Sequence, residues 1–333
     1  LYSMVYSPEK RDEFLNKHGW QLEEPLAQDT SIRRYFRVSK ASQKAILMES
    51  VPDHSPLMTR GHRMTDFVRL SSWLNEVGLN APDVIESDLD HGYMILEDFG
   101  SINFNKALRR GDDAAQLFRL GVDVLEVLKT AKPPQGLNSY YQSHVHANHR
   151  FVMDYYFNKE ELVSEYLSAW NEIEEKLSPM DESFLHIDFH AENLMLVEGR
   201  QGVKRCGILD FQGAMIGPAP YDLANLLEDA RTDCEPDLRA EILEGYDEEF
   251  LAHYRVLGTQ FHCRVIGQFI KIALETGNKS YLLHLPRLEQ YISNALNDPL
   301  LKPLKLFFDN YGLDFSLAKD LNDLQLEQRK RSA

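Results

Sequence analysis

Three side chains between Phe184 and Asp210 have the types and spacing to act together on a phosphate: Asp188, Asn193 and Asp210. The stretch reads FLHIDFHAENLMLVEG, a short polar insert, then CGILDF; Asn193 follows Asp188 by 5 residues and Asp210 follows Asn193 by 17. Phosphoryl transfer needs a carboxylate to accept or orient the proton of the attacking hydroxyl. It also needs an amide oxygen and a second carboxylate to hold Mg²⁺ against the phosphates. A D-x-x-x-x-N run, an apolar strand LMLV, a turn, and a second apolar strand ending in D-F supply that set. Taken singly, an Asp or an Asn in a loop is a turn former, so the weight rests on the joint pattern. A rival chemistry is metal-assisted hydrolysis. His186, Asp188 and His190 alternate and on a strand would share one face, and such donors suit zinc or iron. That reading leaves Asn193 and Asp210 without roles and has no H-E-x-x-H or comparable signature behind it.

The rest of the chain must position these groups. Its 333 residues allow one large or two modest domains, and 43% hydrophobic residues are ample for a sizeable core. With 36 basic against 52 acidic residues the net charge is −16. That balance disfavours nucleic acid and anionic membrane as partners, so an anionic nucleotide must be met by a local positive cluster or by metal. Cys206, Cys234 and Cys263 are odd in number and far apart, with neither a disulfide framework nor zinc spacing. With no signal-peptide pattern and no apolar run of membrane length, the expected location is the cytoplasm. Nothing in the sequence specifies an oligomeric state, and a monomer is compatible with it.

Residues 8–19 read as a short helix closed by Gly19. Segments 32–38 and 44–51, rich in β-branched, aromatic and aliphatic residues, flank a polar KASQ turn and predict a hairpin with a loop longer than the tightest types. Arg33 and Arg37 share one face of the first strand and Arg34 takes the other. Guanidinium groups suit phosphate oxygens, although solvated strand arginines are ordinary. Apolar recurrence predicts a helix over 61–78, then two strands, the second ending at Glu97-Asp98-Phe99-Gly100. Helical periodicity runs from 103 to 132 until Pro133-Pro134. His144, His146 and His149 lack an accompanying ligand pattern and read as ordinary cleft or surface residues. Helices are expected at 159–177, 253–276, 279–297 and 300–309, and the acidic 228–250 as a solvated face. Asp222 follows the forced turn Gly-Pro-Ala-Pro at a helix start, where free N–H groups favour a carboxylate.

The chain resembles the aminoglycoside phosphotransferase family of kinase-like enzymes in HIDFHAEN (His186 to Asn193), ILDF (Ile208 to Phe211) and GPAPYDLANLL (Gly217 to Leu227). DTSIRRYFRV and ILMESVP are similar to the bacterial branch that includes anomeric kinases of the cell-wall amino sugars N-acetylmuramate and N-acetylglucosamine. The resemblance spans roughly Leu22 to Leu285. It implies an α+β, bilobal, protein-kinase-like fold: a small antiparallel-sheet N-lobe, residues 1–98, and a larger helical C-lobe, residues 99–333, with ATP between them. It implies Asp188 as the catalytic residue, Asn193 and Asp210 as Mg²⁺ ligands, His186 as a scaffold of the loop and Asp222 as its brace. Ser31 falls in the loop expected over the phosphates, and Glu97 to Phe99 form the expected hinge at adenine. The implied partners are ATP and a small-molecule hydroxyl acceptor.

Three departures stand out. Where the kinase pattern has a strand lysine, this chain has Met48 and Glu49, with Lys44 one strand turn earlier, so Arg33 or Arg37 is expected to supply the charge. Gln212 stands in place of the D-F-G glycine and is discounted. The helix over 61–78 offers Asp66 and Glu76 but no partner for a strand lysine, so no Lys–Glu switch is expected. Four functions are weighed: an amino-sugar kinase, an aminoglycoside antibiotic kinase, a non-catalytic nucleotide-binding module and a His/Asp metal hydrolase. The intact Asp188, Asn193 and Asp210 set favours the kinases.

Overall fold

Helix α1 (Pro8–His18) shows why its sequence stops where it does. The Ser7 side chain accepts the Lys10 N–H, Pro8 occupies the first turn, and Gly19 closes the end in the left-handed conformation at φ +73°. In this computed structural model the described residues are 6–26, 33–58 and 63–321. They divide into two units, one made of residues up to 135 together with 186–214, the other of 136–185 together with the chain from 215 onward.

The first unit opens with α1, β1 (Gln21–Pro25), β2 (Arg34–Lys40), β3 (Gln43–Glu49), α2 (Met64–Glu76), β4 (Val84–Asp88) and β5 (Tyr93–Glu97). The strands form an antiparallel sheet in the order β1-β2-β3-β5-β4. Period-two alternation sends Val38, Ala45, Leu47, Tyr93 and Ile95 to one face, where they enclose Phe14, Leu15 and Trp20 in a buried core. The β2–β3 hairpin is tighter than its sequence predicts. Lys40 pairs with Gln43, and Ala41 takes φ +53°, so two residues make the turn. The helical stretch from 103 to 132 is two helices, α3 (Phe104–Arg109) and α4 (Ala114–Thr130). Gly111 breaks it at φ +95°, and Asp113 caps α4 by accepting the Gln116 N–H.

The second unit takes over with β6 (Asn138–Ser139), α5 (His144–Ala147), a π-helical stretch Val152–Phe157, α6 (Val163–Glu174) and β7 (Glu182–Leu185). The chain returns to the first unit for β8 (Leu194–Leu196) and β9 (Cys206–Ile208). It then completes the second with β10 (Met215–Pro218), α7 (Pro220–Leu227), α8 (Pro236–Leu243), α9 (Glu248–Thr276), α10 (Leu285–Ala295) and α11 (Lys302–Asn310). β10 runs parallel to β6 and antiparallel to β7. The spine of this unit is α9, capped by Asp247 and ended by Gly277 at φ +75°. Its glycines permit close packing: a methyl group at Gly267 would lie 2.1 Å from the Phe151 carbonyl oxygen. Among the described residues no helix is long and apolar enough to cross a membrane.

Candidate active site

The three chemistry-bearing residues are held by one short hairpin and the loop before it. β8 and β9 pair antiparallel, with Leu194 opposite Ile208, and the Leu209 N–H donates to the Asn193 carbonyl at 2.9 Å. Asn193 and Asp210 therefore sit at the same end of the hairpin. The Asn193 amide nitrogen donates to the Asp188 carbonyl at 3.0 Å, leaving Oδ1 as the free acceptor of that amide. An amide oxygen and a carboxylate are hard donors of the kind Mg²⁺ takes, so the residues present fit that ion.

His186 ties the loop to the second strand. Its Nε2–H donates to the Leu209 carbonyl at 2.8 Å, and its Nδ1 accepts the Asp188 N–H at 3.3 Å. Burial holds its pKa below the ordinary histidine value, which keeps Nδ1 available as an acceptor. With both nitrogens committed to the protein, His186 has none left for a metal. Between His186 and Asp188, Ile187 takes φ +79°. A β-branched residue rarely adopts the left-handed region, and such strain costs about 1–3 kcal/mol. It sits where the chain must turn to present Asp188. Asp210 is likewise left-handed, at φ +58°.

Gln212, discounted on sequence, has a defined place here. It is buried, and its side-chain nitrogen donates to Asp210 Oδ1 at 2.5 Å. One carboxylate oxygen of the expected metal ligand is thereby oriented by the residue that replaces the D-F-G glycine. The only signal in the sequence was the replacement itself. The neighbouring Phe211 packs on Phe67 of α2, ring centroids 4.8 Å apart.

The basic residues separate by face. Arg34 pairs with the fully buried Glu49 at 2.7 Å, and Arg11 approaches the same carboxylate at 3.9 Å. Burial raises the Glu49 pKa and the two guanidinium groups oppose it. Arg37 is held by Asp98 at 2.5 Å and Glu24 at 3.4 Å. Arg33 is buried, with its guanidinium carbon 5.9 Å from the Phe67 ring centroid. That ring is also the one packed on Phe211, the residue after Asp210. Met48, at the position of the expected strand lysine, is fully buried opposite Tyr35 and Met94, while Lys44 pairs with Glu23. In α2, Asp66 pairs with Arg69 and Glu76 accepts from Ser72. Ser31 lies outside the described residues.

At the expected hinge, Glu97 pairs with Arg200 at 2.7 Å, joining β5 to the β8–β9 loop. Asp98 also accepts the Gly100 N–H at 2.8 Å. Phe99 packs closely on β9: a methyl group at Gly207 would come within 2.5 Å of its ring. Asp222 is buried in the first turn of α7, within the second unit. Among the described residues no group of three or more His, Cys, Asp or Glu is arranged to hold a metal. Burial pushes His149 down to about 3, and its Nδ1 lies 3.2 Å from the Tyr166 hydroxyl.

Residues 23–257 match the phosphotransferase enzyme family. The chain belongs to that family. It is a phosphotransferase of the small-molecule kinase kind. It is 30% identical to an N-acetylmuramate/N-acetylglucosamine kinase of Caulobacter vibrioides, across 90% of this chain and 94% of that one. It is 29% identical to the Pseudomonas aeruginosa kinase of the same name, across 82% and 83%. Among solved structures it is similar to an amicoumacin kinase in complex with AMP-PNP, Ca²⁺ and Ami, with a TM-score of 0.61, 13% identity and coverage of 94% and 97%. This phosphotransferase thus has the α+β, protein-kinase-like fold of those enzymes, with an antiparallel sheet in its N-terminal part and helices dominating its C-terminal part.

Proposed function

We propose that this phosphotransferase moves the γ-phosphate of ATP, with Mg²⁺, to a hydroxyl of an amino sugar of the N-acetylmuramate or N-acetylglucosamine type, with the anomeric hydroxyl as acceptor. The observation that carries it is the Asp188, Asn193 and Asp210 arrangement, in a chain that aligns with a kinase of those sugars over 90% of its length. Asp188 orients the acceptor hydroxyl and takes its proton. Asn193 Oδ1 and the Asp210 carboxylate would hold Mg²⁺, which neutralises charge on the phosphates when bound. Gln212 keeps Asp210 in one rotamer, and His186 keeps the two halves of the loop in register. Arg33 is the better placed of the two arginines to meet phosphate oxygens, since Arg37 is engaged by two carboxylates. Residues 1–98 act as the N-lobe over the nucleotide, with Ser31 in the phosphate loop, Glu97 to Phe99 as hinge and Asp222 as brace of the catalytic loop. Such an enzyme works in the cytoplasm, on sugars released from cell-wall turnover.

The test is a transfer screen with ATP, Mg²⁺ and N-acetylmuramate, N-acetylglucosamine, simple hexoses, choline and kanamycin. ADP release with an N-acetyl sugar is expected, with kcat lowered by about 10²–10⁴-fold in Asp188→Ala. Turnover with kanamycin alone would replace the sugar reading by antibiotic modification. ATP binding without transfer to any acceptor would overturn the amino-sugar assignment.

A further inference from the structure

We propose that a cleft wholly within the second unit is a binding site for a small organic cation, an alkylammonium or guanidinium compound. The cleft has a volume of about 280 Å³ and lies between the end of α6, the 177–182 segment and the middle of α9. Its polar lining consists of Tyr141, Glu174, Ser178, Glu182, His253 and Gln260. None of the expected catalytic residues borders it, and the inference does not depend on the sugar reading.

The hydrogen bonding fixes what the lining can offer. Gln260 is 1% exposed, and its amide faces the Glu174 carboxylate at 2.6 Å. A carboxylate accepts, so the amide nitrogen is the atom turned to Glu174 and donates one N–H there, and the amide oxygen points away from that carboxylate. Oε1 of Gln260 is buried without a partner. His253 is 4% exposed, and its Nε2 lies 2.8 Å from the Ser178 carbonyl. A carbonyl also accepts, so Nε2 carries a proton, and in the neutral ring Nδ1 is a lone pair, again buried without a partner. Both orphaned atoms are acceptors. Buried polar groups without partners are rare in native structures and ask for an explanation.

The charge points the same way. Glu174 and Glu182 line the cleft, and no lysine or arginine does. His146 comes within 3.8 Å of Glu174, but burial lowers its pKa below the ordinary value, so it leaves the carboxylate uncompensated near neutral pH. Both carboxylates, after burial itself, help push the Tyr141 hydroxyl up to about 12. A ligand that satisfies this lining must bring donors and positive charge. The walls contributed by Leu177 and Leu257 call for an apolar body behind the cationic head, and the aromatic Tyr141 is part of the same lining.

The test is calorimetric titration of the full chain with butylammonium and agmatine, with butanol as the uncharged control. Saturable heat is expected with the cations, with Kd on the order of 1 mM for so few atoms, and none with butanol. Glu182→Gln, on an exposed residue, and Glu174→Gln should each weaken binding by about tenfold or more while leaving the unfolding temperature in place. A Leu257→Trp variant that fills the cleft should abolish the heat. No saturable heat with either cation, equal heat with butanol, or cation binding indifferent to both glutamine variants would overturn the proposal.

Discussion

If Asp210 holds Mg²⁺ as proposed, Gln212 acts on activity through it, and its removal should show as a metal phenotype. In Gln212→Ala, Asp210 loses the donor that orients Oδ1. Outer partners of metal ligands are worth about 10–100-fold in metal affinity. The Mg²⁺ concentration for half-maximal activity should rise within that range, with most of kcat recovered at saturating Mg²⁺; an unchanged Mg²⁺ curve would refute the role. The two arginines should separate as well. Arg33→Ala is expected to raise the KM for ATP by about tenfold or more, while Arg37→Ala mainly releases Asp98 and Glu24 and should act through stability. Equal KM effects would contradict that division. Asp188, Asn193 and Asp210 were legible in the sequence because local spacing along a hairpin brings them together. The Arg37–Asp98 pair was not, because its partners are 61 positions apart and nothing but the folded sheet joins them. The engagement of Gln212 was hidden for another reason: it depends on the left-handed turn at Asp210, a conformation Asp tolerates but which residue spacing does not reveal.

Elements were legible where one period dominated. The α2 helix, the C-terminal part of α9 and strands β2 to β5 follow from apolar recurrence, whereas the largely exposed β1 carries no such signal and the α3–α4 break at Gly111 is hidden from periodicity. The π-helical stretch Val152–Phe157 was illegible, since its aromatic residues fit no 3.6-residue stripe. That stretch follows directly on Phe151, whose carbonyl presses on Gly267 of α9. Gly267→Ala should therefore cost about 1–3 kcal/mol through overpacking, seen as a lowered unfolding midpoint, with no loss expected if the backbone there could retreat. Just before it, His149 adds a pH dependence to the same packing. Folded, it titrates at about 3, against an ordinary 6.5 when unfolded. The unfolded chain takes up the proton first as pH falls, so the stability His149 contributes is whole above 6.5 and drains as pH drops toward 3. A His149→Asn variant should lose less melting temperature than its parent between about pH 6.5 and pH 5. Parallel profiles would show that other groups carry the acid sensitivity.

For the whole molecule, the three cysteines report on global opening. All are buried and unpaired; burial raises Cys206 and lifts Cys234 and Cys263 to about 12. Since the thiolate is the reactive form, a thiol reagent at mildly alkaline pH should leave the native protein untouched and titrate three groups in denaturant. A fast-reacting native thiol would mean that its element opens locally. At a net charge of −16, an anionic nucleotide meets an overall repulsive field and depends on local positive charge. The division of the chain also matters during synthesis. The first unit is interrupted after residue 135 and is finished only by residues 186–214, which carry Asp188, Asn193 and Asp210. A ribosome adding about 5–20 residues per second needs on the order of 4–16 s to cover the 79 residues from 136 to 214. Throughout that interval the five-stranded sheet and α3 and α4 wait without the β8–β9 hairpin, and the apolar surface that hairpin will cover, Phe99 included, is open to any chaperone, or any neighbouring nascent chain, within reach.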